Sequence, residues 1–152
     1  MNFKKAKIED VPLIVKMIAN DKLGKLRENY RDPLPEEYYR AFKIINSDPN
    51  QELIVVENEN DPEITASFQL SFIPYLTYRG RTRAQIESVM VREDLRGQGI
   101  GQKIFEWAIA RAKERNAHVL QLTSDKQRPR AIKFYEELGS KASQQGMKLH
   151  FE

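Results

Sequence analysis

The segment Arg96-Gly97-Gln98-Gly99-Ile100-Gly101 constrains this chain more than any other. It follows the strand-like run Ile86-Glu87-Ser88-Val89-Met90-Val91 and opens an amphipathic stretch from Ile100 to Ala112, so it joins a strand to a helix. Glycines at alternate positions permit a turn that other residues resist and let a ligand approach the main chain closely. The N–H groups and dipole of a helix start favour an anion there, and a concave array of this kind suits a pyrophosphate.

Three loop types compete for such a sequence. A P-loop needs Lys-Ser or Lys-Thr directly after its last glycine, whereas Gln102, Lys103 and Ile104 follow Gly101. A dinucleotide fingerprint needs its third glycine one place later, where Gln102 stands. Asp125 mimics the ribose-binding acid of that fold, but the loop sits far along the chain instead of opening it. The third pattern is Arg or Gln, two residues, Gly, one residue, then Gly or Ala, and Arg96, Gly99 and Gly101 satisfy it. Further on stands Ala131-Ile132-Lys133-Phe134-Tyr135-Glu136-Glu137-Leu138-Gly139, a helix with a Phe-Tyr pair that ends in Leu-Gly. With both motifs in this order, the chain resembles the GNAT acetyltransferase superfamily over nearly its whole length.

Composition narrows the alternatives. With 152 residues and a 40% apolar share the chain suits one packed domain, 1–152. Mean hydropathy of −0.65 and the absence of a long apolar run argue against a membrane span. The basic start Met1-Asn2-Phe3-Lys4-Lys5 is followed by no apolar region, so no secretory signal is read and a cytoplasmic protein is expected. Without cysteine there is no disulfide, thiolate metal site or acetyl-cysteine intermediate. His118 and His150 are too few for a histidine metal cage, so no metal is expected. The formal charge is +3, but 25 basic and 22 acidic residues are well mixed, which disfavours a nucleic-acid partner. Two basic clusters stand out. Arg79, Arg81 and Arg83 read as decoration of a hairpin end, and Lys126, Arg128 and Arg130 lie where a nucleotide phosphate could bind.

Periodicity places strands at Phe3 to Ile8, Leu53 to Glu57, Ile64 to Ile73, Ala84 to Arg92, His118 to Ser124 and Met147 to Phe151. Helices are expected from Asp10 to Gly24, Glu36 to Ile45, Ile100 to Ala112 and Pro129 to Leu138. Antiparallel strands followed by βαβ units make an α+β fold. The resemblance implies a mixed, mostly antiparallel sheet of six to seven strands, splayed between strands 4 and 5 and flanked by about four helices.

It also implies acetyl-CoA as co-substrate and an acetyl transfer to a primary amine of a small or amino-acid-like acceptor, by direct attack in a ternary complex. Val89, Met90 and Val91 would offer main-chain groups to pantetheine. Gly97, Gln98, Gly99, Ile100, Gly101 and Gln102 would direct N–H groups at the pyrophosphate, with Arg96 organising the loop or pairing with phosphate. Tyr135 is the candidate general acid toward the departing sulfur. Glu87 is the candidate base or substrate-orienting residue, and strand alternation puts Gln85, Glu87 and Val89 on one face. Arg128 stands where relatives carry a pantetheine-binding asparagine. It would instead meet the adenosine 3′-phosphate or belong to the surface. Arg27, Glu28, Tyr30, Gln69 and Tyr75 are candidates to meet the acceptor. Other readings stay open: a protein or peptide N-acetyltransferase, a non-catalytic acyl-CoA sensor, and a basic nucleic-acid module. A homodimer through the final strands follows from family analogy alone.

Overall fold

Gln51–Glu57 holds the unbroken apolar run Leu53 to Val56, Ala66–Pro74 alternates apolar and polar residues, and these two segments are neighbouring strands of a five-stranded sheet. The computed structural model describes all residues, Met1–Glu152. They divide into two compact units, Met1–Gln121 and Leu122–Glu152.

The first unit holds β1 (Asn2–Lys5), α1 (Val11–Asn20), α2 (Glu36–Ser47), β2 (Gln51–Glu57), β3 (Ala66–Pro74), β4 (Thr82–Val91), α3 (Ile100–Glu114) and β5 (Ala117–Gln121). The strands lie side by side in chain order. The first four are antiparallel neighbours, and β5 joins β4 in parallel. The second unit holds α4 (Pro129–Glu137). The sheet is therefore mixed and mostly antiparallel, as expected, with five strands in place of six to seven. Residues Met147 to Phe151 form no strand. Met147, Leu149 and Phe151 are 91%, 82% and 93% exposed. Alternation identifies an apolar face but supplies no hydrogen-bonding neighbour, which a strand also requires.

The two faces of the sheet have different covers. On one, Val55 packs with Val11, Ile14 and Val15 of α1, Phe42 of α2, and Leu34. On the other, Phe68 meets Trp107 of α3 edge to face at 5.7 Å, and Phe3 stacks on the same indole at 5.4 Å. Ile100, Ile104, Phe105, Ala108 and Ala112 are the buried stripe of α3, at the helical spacing read from sequence.

Two charged residues are buried in this unit, Asp21 and Glu52. Glu52 is 3% exposed, and Arg111 grips it with Nε at 2.8 Å and Nη2 at 2.8 Å, while Arg115 Nη1 lies at 3.6 Å. Burial alone would raise its pKa, but the Arg111 hydrogen bonds and both arginine charges outweigh that and hold the carboxyl below its ordinary 4.5. Glu52→Gln should lower unfolding stability by about 1–3 kcal/mol at neutral pH, because it removes the charge that Arg111 and Arg115 both face, although Arg111 keeps Glu114 and Arg115 keeps Asn50. A depressed carboxylate stabilises above its unfolded pKa and loses that effect as pH falls through the folded value. The gap between wild type and variant should therefore close in urea titrations at acid pH.

Candidate active site

Pairing between β4 and β5 covers only Thr82 to Gln85 on β4, whose last partner is Gln121. From Ile86 to Val91 that edge of β4 has no neighbouring strand, while β3 pairs along its other edge up to Val91. The expected splay is thus an early end of one ladder. β5 was expected to reach Ser124 and stops at Gln121.

Within this stretch β4 carries a bulge. Glu87 faces Gln69 and Met90 faces Ser67, so three steps on β4 answer two on β3. Ser88 takes up the extra residue with φ of 55°. This corrects the alternation: Met90, not Val89, follows Glu87 on the same face. Met90 is buried at 9%, Val89 and Val91 are half-buried, and Glu87 is exposed.

Beyond β4 the chain makes a short 3-10 turn, Glu93–Leu95, and enters the glycine loop. Gly97 and Gly99 have φ of 77° and 82°, with nothing within 4 Å of where a Cβ would stand. They are needed for backbone conformation, not for space. None of the N–H groups of residues 97–102 donates to a carbonyl or to a capping side chain, and Lys103 is the first to bond back, to Gly99 O at 3.3 Å. Six consecutive donors are left at the N-terminus of a fifteen-residue helix. Arg96 Nε donates to Val91 O at 3.3 Å, and Gln98 Nε2 to Asp94 O at 3.4 Å, so both side chains brace the loop. Gln102 Nε2 reaches Glu106 at 3.2 Å. A cleft of about 360 Å³ lies against the loop, lined by Met17 and Asn20 of α1 and by Val91, Arg92, Glu93, Asp94 and Arg96.

In the second unit, Arg128 is the N-cap residue of α4 and Tyr135 sits two turns along it, its ring 5.5 Å from that of Phe134. Burial pushes the Tyr135 phenol above its ordinary 10, and the Arg128 charge opposes that shift. Gly139, with φ of 98°, ends the helix as the Leu-Gly motif suggests.

The sequence model of the Acetyltransferase (GNAT) family matches residues 21–140. The chain belongs to this family. A protein of Bacillus halodurans C-125 named a transcriptional regulator is 52% identical, with a TM-score of 0.94 and 99% of each chain covered. Two GNAT-like structures share the fold at lower identity. The glucosamine-6-phosphate N-acetyltransferase of Arabidopsis thaliana is 22% identical, with a TM-score of 0.79 over 99% of this chain and 98% of its own. A protein of Clostridium acetobutylicum, named a predicted acetyltransferase and solved with acetyl-CoA, is 23% identical, with a TM-score of 0.73 over 98% and 95%. No curated protein matches the sequence.

The remaining candidates in this GNAT chain fall in two places. Arg27 and Glu28 pair with each other at 2.6 Å in the α1–α2 loop, and Glu28 also accepts from Tyr38 Oη at 3.2 Å. Gln69 faces Glu87 across the β3–β4 pair and donates to Gln51 Oε1 at 2.9 Å. No group of three His, Cys, Asp or Glu side chains is gathered closely enough to hold a metal ion. No helix is long and apolar enough to cross a membrane.

Sequence reading missed Arg92. It joins Asp61 at 2.6 Å to Asp94 at 2.7 Å and so ties the β2–β3 connection to the turn before the glycine loop. These partners stand 31 and 2 residues away, and no spacing rule links them. Gly99→Ala should cost about 1–2 kcal/mol of unfolding free energy, because a Cβ disfavours the left-handed conformation. Chemical denaturation measures this directly.

Proposed function

We propose that residues 1–152 form a single acetyltransferase domain that moves the acetyl group of acetyl-CoA to a primary amine, by direct attack in a ternary complex. The observation that carries this reading is the run of six unbonded N–H groups at residues 97–102 beside the open edge of β4. A diphosphate suits the first, and an extended amide-bearing arm suits the second, as an added strand would. Val89, Met90 and Val91 supply the strand groups, and Arg96 holds the loop. Arg128, with Lys126 and Arg130, meets the adenosine 3′-phosphate.

The amine nitrogen, once deprotonated, attacks the thioester carbonyl. A C–N bond forms, the C–S bond breaks, and the sulfur leaves with the electron pair. Glu87 receives the amine proton, directly or through water, or else orients the amine. Tyr135 gives its proton to the sulfur, whose parent thiol has a pKa of about 8.5. Holding both reactants in one site supplies much of the rate. Arg27, Glu28 and Gln69 meet the acceptor. We read the acceptor as a small or amino-acid-like amine, with a peptide amine as the alternative. The protein acts in the cytoplasm, without metal, nucleic acid or membrane, and a homodimer is compatible with this role.

A second reading is an acyl-CoA-binding regulator without turnover. It is favoured by the name of the 52% identical Bacillus halodurans protein. Release of free thiol from acetyl-CoA across a panel of amines separates the two, since a regulator releases none. Tyr135→Phe should lower kcat by about 10²-fold or more while CoA affinity is unchanged. Wild-type kcat in that variant would remove the assigned acid. Because burial raises the Tyr135 pKa above 10, the phenol stays protonated through neutral pH. The alkaline limb of kcat caused by its loss should therefore lie above pH 10.

A further inference from the structure

Across the α1/α2 face of the sheet runs a polar row at one level: Gln51 on β2, Ser71 on β3, Gln85 on β4 and Gln121 on β5 are successive cross-strand partners. Ser71 Oγ donates to Gln51 Oε1 at 2.8 Å, and Gln121 Nε2 to Gln85 Oε1 at 2.9 Å. The acceptor oxygen of Gln85 is thereby engaged, and its own NH₂ group has no protein partner. Glu87 stands one level above this row on β4, and Arg83 one level below, facing Ile73 and Val119. Alternation before the bulge puts Arg83, Gln85 and Glu87 on the same face, as a cation, an amide and an anion in line.

Arg83 is not the hairpin decoration expected from sequence, although Arg79 and Arg81 are exposed there. Its guanidinium carbon lies 5.0 Å from the centre of the Tyr75 ring. That ring stacks on His118 at 5.6 Å, and His118 meets Tyr78 at 4.9 Å. Tyr75 Oη and His118 Nε2 share a hydrogen bond. The turn that delivers Tyr78 is strained, with φ of 53° and 64° at Tyr78 and Arg79. Strain of this kind persists only where surrounding contacts enforce it. The stack thus fixes a cation whose Nε is buried without a hydrogen-bond acceptor. No carboxylate pairs with it.

We propose that Arg83, with the Gln85 amide, receives an anionic group, a carboxylate or a phosphate, carried by the acceptor amine. The inference rests on the transferase reading above and names its substrate class: an elongated zwitterion, its ammonium end toward Glu87 and its anionic end at Arg83. The two positions are four residues apart, roughly 13 Å along a strand, so a compact α-amino acid does not bridge them. The diphosphate of the coenzyme is not the anion in question. Arg83 and the end of β4 at Val91 are eight residues apart, roughly 26 Å.

The test compares hexylamine, 6-aminohexanoate and 6-aminohexyl phosphate by calorimetry on the CoA-saturated protein, with thiol release from acetyl-CoA as a parallel readout. At least one anionic compound should bind about tenfold or more tightly than hexylamine, and whichever wins identifies carboxylate or phosphate. Arg83→Gln should bring the three to parity, and Arg83→Lys, which keeps the charge but loses the fork, should retain part of the preference. Equal binding of all three by wild type overturns the proposal, as does a preference undiminished in both variants. Arg83-dependent binding without thiol release would refute the transferase reading and leave the anion receptor standing.

Discussion

The ladder between β4 and β5 ends at Gln85, and most of the candidate site depends on that ending. Had β5 continued, the edge of β4 from Ile86 to Val91 would be engaged in sheet hydrogen bonds and closed to a ligand. Buried or half-buried peptide groups without partners are costly in general, so an open edge inside a folded sheet invites an occupant. The glycine loop repeats the condition at the next step of the chain, with six amide donors and no acceptor. Both features lie in one unit of the chain and are held by ordinary forces. Arg92 anchors the approach turn, Arg96 ties the loop to Val91, and the Trp107 cluster holds α3 against the sheet.

Much of this was legible in the residues. Local signals dominate at the glycine loop, where the conformation needs Gly97 and Gly99 and the helix announces itself by its buried stripe. The four helices were found for the same reason, their periods being contained within single elements. What escaped reading depends on partners distant in sequence. The bulge at Ser88 moved Met90 onto the face assigned to Val89, and it shows only when β3 lies alongside. Glu52 can be buried as a carboxylate because Arg111, 59 residues away, comes to it. The strand expected at Met147–Phe151 failed in the opposite way, since its pattern was present and its neighbour was not.

The polar row makes a related point. Gln51, Ser71, Gln85 and Gln121 are unremarkable one at a time, and only the register of four strands puts them in line. A cluster of arginines near a hairpin likewise reads as solvated charge until one of them, Arg83, is seen stacked on Tyr75. In both cases the sheet converts scattered residues into a surface with direction, from a fixed cation to an exposed carboxylate.

The most direct test of the account is amide chemical-shift mapping by NMR during titration with CoA. The account predicts saturable binding, with the largest shifts at the amides of residues 97–102 and along the open edge of β4. An absence of binding, or shifts that leave those amides unmoved while others respond, would contradict it.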